Sequence, residues 1–196
     1  MLLRNNKKIK HLYLDNNHLG VEGARAISKA LIDNPHSGLE SLSVSQTQLG
    51  DPGAQAIALA LSLNSSLRSL SLGAFNKIGN LGGYALAIAL LRNKTLASFQ
   101  LKNGPFFTRE WLYRSFYQNS SIVDFDFSES RSESERERIA IRTGQNKLRR
   151  VREKREALLA GFHKRLGKDS SLLQFRSSML FEKHLLTTLW EFIDHQ

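Results

Sequence analysis

The stretch Ile9-Lys-His-Leu12-Tyr-Leu14-Asp-Asn-Asn17-His-Leu19 decides the fold, because its spacing comes back. The same frame stands at Leu39-x-x-Leu42-x-Val44-x-x-Thr47-x-Leu49, again from Leu67 and from Leu96, and a last time at Ile122. A period of roughly 26–30 residues marks a solenoid in which each unit packs on its neighbours alone. The first half of each unit, such as Leu12-Tyr-Leu14 or Leu70-Ser-Leu72, alternates apolar and polar residues, the pattern of a short half-buried strand. The second half has helical spacing: Gly23, Ile27, Ala30 and Leu31 form one stripe, Gly53, Ile57, Ala60 and Leu61 the next, and Gly82, Leu86, Ala89 and Leu90 a third. The small residues in these stripes are expected to let each helix lie close to the strand layer. Asp51-Pro52 puts a proline near a helix start, where its missing N–H costs little.

Composition narrows the class. Of 196 residues, 41% are hydrophobic and 23% charged, which suits one array with an extension. The absence of cysteine excludes disulfides and thiolate zinc sites. It fits a cytoplasmic location. No run of about 18 apolar residues is present, so no membrane-spanning helix is expected. MLLRNNKKIK is too short and polar for a secretory signal. The net charge is +10, and the excess concentrates in Arg142–Lys168, with 10 basic and 2 acidic residues. Such a run is ordinarily a solvated helix face; it is also where phosphate, anionic lipid or an acidic protein would bind.

The units HLYLDNNHLGVEGARAISKALIDN, SLSVSQTQLGDPGAQAIALALSLNSS and SLSLGAFNKIGNLGGYALAIALLRNKT resemble leucine-rich repeats of the ribonuclease-inhibitor type. The resemblance covers residues 1 to about 130. It implies an α/β fold, a right-handed solenoid with a parallel concave sheet and convex helices, whose usual role is binding another protein. The turn asparagine of the pattern is clear only at Asn17; Thr47 replaces it in the second repeat, and one extra residue puts Asn76 out of frame in the third. Gly104 and Ser130 hold that position later, so irregular turns are expected. Leu2–Ile9 resembles Leu90–Leu96, the tail of a repeat helix. The array is therefore expected to start inside a repeat, with residues missing upstream or with the first strand available for self-association. The Cys-free, Asn/Lys/Ser-rich repeats look like those of leucine-rich-repeat effectors from intracellular bacteria such as Legionella, which implies export into a host cell and a host protein as partner.

The fourth repeat departs from the pattern. Its helix, expected over about Thr108–Asn119, keeps Leu112 and Phe116 in core positions but places Trp111 in the column of Ala26, Ala56 and Ala85. Packing under a C-terminal cap is the simpler expectation for Trp111; an exposed aromatic rim for a partner is the alternative. After Ile122–Phe127, the last clear strand, Ser132-Glu-Ser-Glu135 offers a capping box. Residues 131–196 are expected to form a charged helical extension. Its first helix should reach about Leu166, with a break near Gly144 or Gly161 and an apolar stripe of Leu148, Val151, Leu158, Phe162 and Leu166. A second amphipathic element should cover Ser171–Ile193.

No catalytic constellation is present. Asp124 and Asp126 alternate with Phe125 and Phe127, so both carboxylates face the concave side about 7 Å apart. No histidine or nucleophile shares their strand to complete an acid–base site. The six histidines never stand at metal-ligand spacing, and no cofactor or metal is expected. The concave strand positions form a row that is nearly all serine in the middle, so energetic contacts are expected at its ends: His11, Tyr13 and Asp15 at one, Gln100, Lys102, Asp124 and Asp126 at the other. The basic candidates for weak nucleic-acid or anionic-lipid contact are Lys147, Arg149, Arg150, Arg152, Lys154 and Arg155. Glu153 and Glu156 stand at spacings that let them pair within the helix. The Ran GTPase-activating proteins share this repeat class, which makes regulation of a small GTPase a second function implied by the resemblance, although the polar loop constellation it needs has no match here.

Overall fold

The computed structural model describes residues 6–35, 37–102, 109–127 and 133–166. Five short strands, β1 (His11–Tyr13), β2 (Ser41–Ser43), β3 (Ser69–Gly73), β4 (Ser98–Leu101) and β5 (Asp124–Phe127), pair in chain order in one parallel sheet. Each of the first four is followed by a helix: α1 (Gly20–Asp33), α2 (Gly50–Leu63), α3 (Asn80–Arg92) and α4 (Arg109–Gln118). The charged helix α5 (Glu133–Leu166) follows β5 without the expected break at Gly144 or Gly161. The solenoid expected from the spacing is the observed fold. Residues 1–147 form one compact unit and residues 148–196 another.

The register aligns equivalent positions of the repeats. His11, Ser41, Ser69 and Ser98 lie side by side, as do Leu12, Leu42, Leu70 and Phe99. The second row points between sheet and helices, where Leu42, Leu70 and Phe99 are fully buried. The helical stripes point the same way: Ile27, Leu31, Ile57, Leu61, Leu86 and Leu90 are all buried. Toward β5 the core turns from aliphatic to aromatic. Phe125 stacks on Phe116 at 4.3 Å and on Phe99 at 5.9 Å.

Two of the stripe glycines admit the neighbouring helix. A Cβ on Gly53 would stand 3.2 Å from Ala24 Cβ of α1, and one on Gly82 would stand 2.8 Å from Ala54 Cβ of α2. A Cβ on Gly53 would also stand 2.9 Å from Leu49 Cβ, and one on Gly23 would meet Leu19 Cβ at 2.8 Å. Gly82 also lies in a cap supplied from the preceding repeat: Asp51 Oδ1 accepts from the Gly79 and Gly82 amides at 2.6 and 2.9 Å. Asp51 thus satisfies open N–H groups at the start of α3, which its own N-cap residue, Gly79, does not.

The expected irregularity appears after β3, and asparagine holds that turn together. Asn76 occupies the buried turn position despite the extra residue. The register shifts between Ser71 and Gly73, where Gly73 has φ +50°, and this absorbs the insertion. Asn76 Nδ2 then donates to the Val44 carbonyl at 2.8 Å and its Oδ1 accepts from the Thr47 amide at 2.8 Å. Asn17, the asparagine that best fits the sequence pattern, is exposed and reaches only the Leu14 and Asp15 carbonyls. Gly104 and Ser130 lie outside the described residues.

A second asparagine ladder runs through the helix-to-strand turns. Asn64, Asn93 and Asn119 are buried at the ends of α2, α3 and α4. In each, Oδ1 accepts from the backbone amides two and three residues on, and Nδ2 reaches back to the preceding turn. Asn93 Nδ2 donates to the Leu61 and Asn64 carbonyls; Asn119 Nδ2 donates to those of Leu90 and Asn93. The ladder continues onto α5, where the buried Asn146 donates to the Ile122 carbonyl at 2.6 Å and to the Asn119 carbonyl at 3.3 Å. Asn6 starts it, accepting from the Lys8 and Ile9 amides.

The stripe read on the extension does not describe its packing. Leu148 and Leu158 are exposed and Val151 is half-buried, while Phe162 and Leu166 have no described side chains. Within residues 133–147 the inward positions are Ile139, Arg142 and Asn146, spaced by three and four. Ser171–Ile193 lies outside the described residues. Gly144 sits inside α5 with nothing within 4 Å of a Cβ built on it. Gly144→Ala is expected to raise stability by about 0.5–1 kcal/mol, the difference in helix propensity, read as a higher urea midpoint.

Candidate protein-binding surface

The sheet's open face carries the outward strand positions. At the β1 end His11 and Tyr13 are exposed, and their rings lie parallel with centroids 6.4 Å apart. Tyr13, 67% exposed, is the largest open aromatic on this face. The middle is low: Ser41, Ser43, Ser45, Ser69 and Ser71 are half-buried, and a Cβ on Gly73 would run into the Ser45 side chain.

Asp15 does not stand free at the β1 end. It accepts from Ser43 Oγ and from the Ser45 amide, both at 2.6 Å. Burial pushes its carboxyl pKa up, but the hydrogen bonds from Ser43 and Ser45 outweigh that and hold it below the ordinary 3.8. A lowered native pKa adds stability above the unfolded value, and that stability is lost as pH falls through the lowered one. Asp15→Asn is therefore expected to flatten the acid limb of a Tm-against-pH profile below about pH 4 and leave the neutral region's slope unchanged.

The β4–β5 end is a connected polar set. Gln100 accepts from Ser71 Oγ at 2.7 Å and donates to Asp126 at 3.0 Å. Lys102 Nζ lies 3.9 Å from the same Asp126 carboxylate, and Asp124 accepts from Ser98 Oγ at 2.8 Å. The two carboxylates are thus tied to neutral and basic neighbours within the face. Among the described residues no group of three His, Asp or Glu could hold a metal ion. No helix among them is long and apolar enough to cross a membrane.

The remaining candidates lie elsewhere. Trp111 is 45% exposed, with its ring edge-on to Tyr84 of α3 at 5.5 Å and the Arg114 guanidinium 5.8 Å from its centroid. It sits on the outer side of the helix layer, and the second element of the extension expected to cap the array lies outside the described residues. In the basic run, Arg149 pairs with Glu153 at 2.7 Å and Arg152 lies 3.8 Å from Glu156, so two of its cations are matched along the helix. Lys147 and Lys154 are exposed, Arg150 is half-buried, and Arg155 has no described side chain.

Sequence reasoning missed two features. Phe75, in the turn between β3 and α3, is 66% exposed and has φ +59°, a strained conformation for an aromatic residue. The signal was available: the equivalent turn positions hold Asn16 and Gln46, also left-handed, and only here is the residue large and apolar. The other is the outer face of the middle helices. Leu59 and Leu63 of α2, and Leu81, Tyr84, Ile88 and Leu91 of α3, are all exposed. The corresponding face of α1 carries the pairs Arg25–Glu22 and Lys29–Asp33 instead.

Comparison with known proteins agrees with this architecture. A family model described as "Leucine Rich repeat" matches residues 5–28, 38–58 and 63–87. No curated protein matches the chain by sequence. Among solved structures, the chain is similar to leiomodin-1 actin-binding site 2, with a TM-score of 0.66 at 21% identity, over 79% of this chain and 93% of that one. It is similar to the tropomodulin C-terminal domain of Caenorhabditis elegans, also at 0.66, with 20% identity over 79% of this chain and 94% of that one. At these identities the likeness speaks for the fold. The three stretches match the leucine-rich-repeat model, and the five-stranded sheet with its helix layer has the leucine-rich-repeat fold.

Proposed function

We propose that the protein is a non-catalytic binding module that lays its sheet's open face against a protein partner. The observation that carries this reading is the distribution of side chains on that face: an exposed aromatic pair at one end, a floor of small hydroxyls, and the Gln100–Lys102–Asp126 set at the other. Serine leaves room for a partner but supplies little burial energy, so Tyr13 is the anchor and the polar set fixes orientation. The leiomodin-1 neighbour is an actin-binding site, which supports a protein as the class of partner. The ribonuclease-inhibitor subtype is supported by repeat helices of 14, 14 and 13 residues. The effector-like composition adds a proposed setting, a host-cell protein as the partner.

Capture from host lysate, with purified actin as a defined second arm, tests the reading. Tyr13→Ser is expected to weaken the captured complex by at least about tenfold, and Gln100→Ala with Asp126→Ala by a similar factor. Retention of every partner by both variants would remove the open face as the site.

A further inference from the structure

The outer face of the middle helices is apolar in a way that the fold does not require. Stacking needs only the inward stripe, and α1 shows that a helix of this array can carry charged pairs outward. On α2 and α3 the outward residues instead build a groove. The buried Ala58 and Ala89 and the half-buried Ala85 form its floor, Leu59 and Ile88 rise on its two sides at 57% and 40% exposure, and Gln55, Ser62 and Arg92 complete the lining. The apolar surface extends along α3 through Tyr84 and reaches α4 through the Tyr84–Trp111 ring contact. Small residues between two apolar ridges are the shape into which an amphipathic helix inserts side chains at helical spacing. An exposed apolar surface of this kind marks an interaction site.

Charge selects the occupant. No acidic residue lines the groove, and Arg92 has no ion-pair partner among the described residues. A second copy of this chain would bring a net charge of +10 against another +10. We infer that the groove between α2 and α3 receives an amphipathic helix of a partner protein, with leucine-like side chains over Ala58, Ala85 and Ala89 and an acidic residue meeting Arg92. This surface is separate from the sheet's open face, and the two stand or fall independently.

The test uses the full chain and two synthetic amphipathic helices of equal length, one of Leu and Glu heptads and one of Leu and Lys heptads, followed by fluorescence anisotropy. The Leu/Glu helix is expected to bind the wild type in preference to the Leu/Lys helix. Leu59→Ser and Ile88→Ser, both at exposed positions, should weaken it at least about tenfold. Arg92→Glu should reverse the preference between the two helices. Arg25→Glu makes the same charge change on α1 and should leave binding unchanged. Circular dichroism of each variant establishes that the fold is kept. Equal binding of both helices to the wild type, no binding of the Leu/Glu helix, or full binding by Ile88→Ser would overturn the inference. So would a wild-type dimer in sedimentation that Ile88→Ser dissociates, which would make the occupant a second copy.

Discussion

Asn93→Ala is expected to cost about 4 kcal/mol of folding stability. The side chain is buried and joins two repeats: Nδ2 donates to the Leu61 and Asn64 carbonyls at 2.8 and 3.1 Å, and Oδ1 accepts from the Thr95 and Leu96 amides at 2.9 and 2.7 Å. Alanine leaves two carbonyls and two amides without that partner, and each buried unsatisfied group costs about 1–3 kcal/mol before relaxation and water recover part of it. In a chain of this size the loss corresponds to a Tm lower by about 10 °C. Asn93→Asp keeps the acceptor and loses the donors, so it should fall between wild type and alanine. Asn17→Ala, at the exposed position that best fits the sequence pattern, should cost less than about 1 kcal/mol. Urea denaturation of the three variants measures the order.

The second large effect has a sign opposite to the one helix propensity gives. Gly82 lies in the first turn of α3, where alanine would ordinarily gain up to about 1 kcal/mol. Here the added Cβ would stand 2.7 Å from Asp51 Oδ1, 2.8 Å from Ala54 Cβ and 2.9 Å from Ile78 Cγ2. Relief means moving α3 away from α2 or turning Asp51 aside, and the latter breaks the bonds that cap Gly79 and Gly82. Gly82→Ala is expected to destabilise by about 2–3 kcal/mol. The same substitution at Gly144 stabilises, because that Cβ meets open space. A pair of opposite signs in one chain separates packing from propensity.

The repeat was legible because leucines at a fixed period carry the core, and Leu42, Leu70, Ile57 and Leu86 sit where their spacing puts them. The ladder of Asn64, Asn93 and Asn119 was not. Each stands three residues before the first core residue of its repeat, Leu67, Leu96 or Ile122, outside the Leu-x-x-Leu-x-Leu frame. Asn76 was misplaced because a frame counted in residues has no place for the register shift at Gly73. The inward side of α5 escaped because Arg142 and Asn146 belong to it, and an apolar periodicity cannot see polar residues that pack through hydrogen bonds. The outer faces of α2 and α3 were hidden by abundance. Ala-Leu runs such as Ala56–Leu61 are apolar on every side, so the inward residues do not stand out from those left exposed.

On the open face, Tyr13 is exposed at one end of the strand row and the central serines are low. What the sequence could not convey is how far the polar residues are already engaged with one another. Asp15 is held by Ser43 and Ser45, and Asp126 is shared by Gln100 and Lys102. Such prior pairing lowers the ordering cost of binding and reduces what each charge can contribute alone.

Amide hydrogen exchange of the chain, alone and in its captured complex, tests the central claim most directly. Binding across the open face predicts slowed exchange in β1, in β4 and β5, and in the adjoining turn that contains Phe75, with the outer helix faces unchanged. Slowed exchange confined to the helices, with every strand as in the free protein, would contradict it.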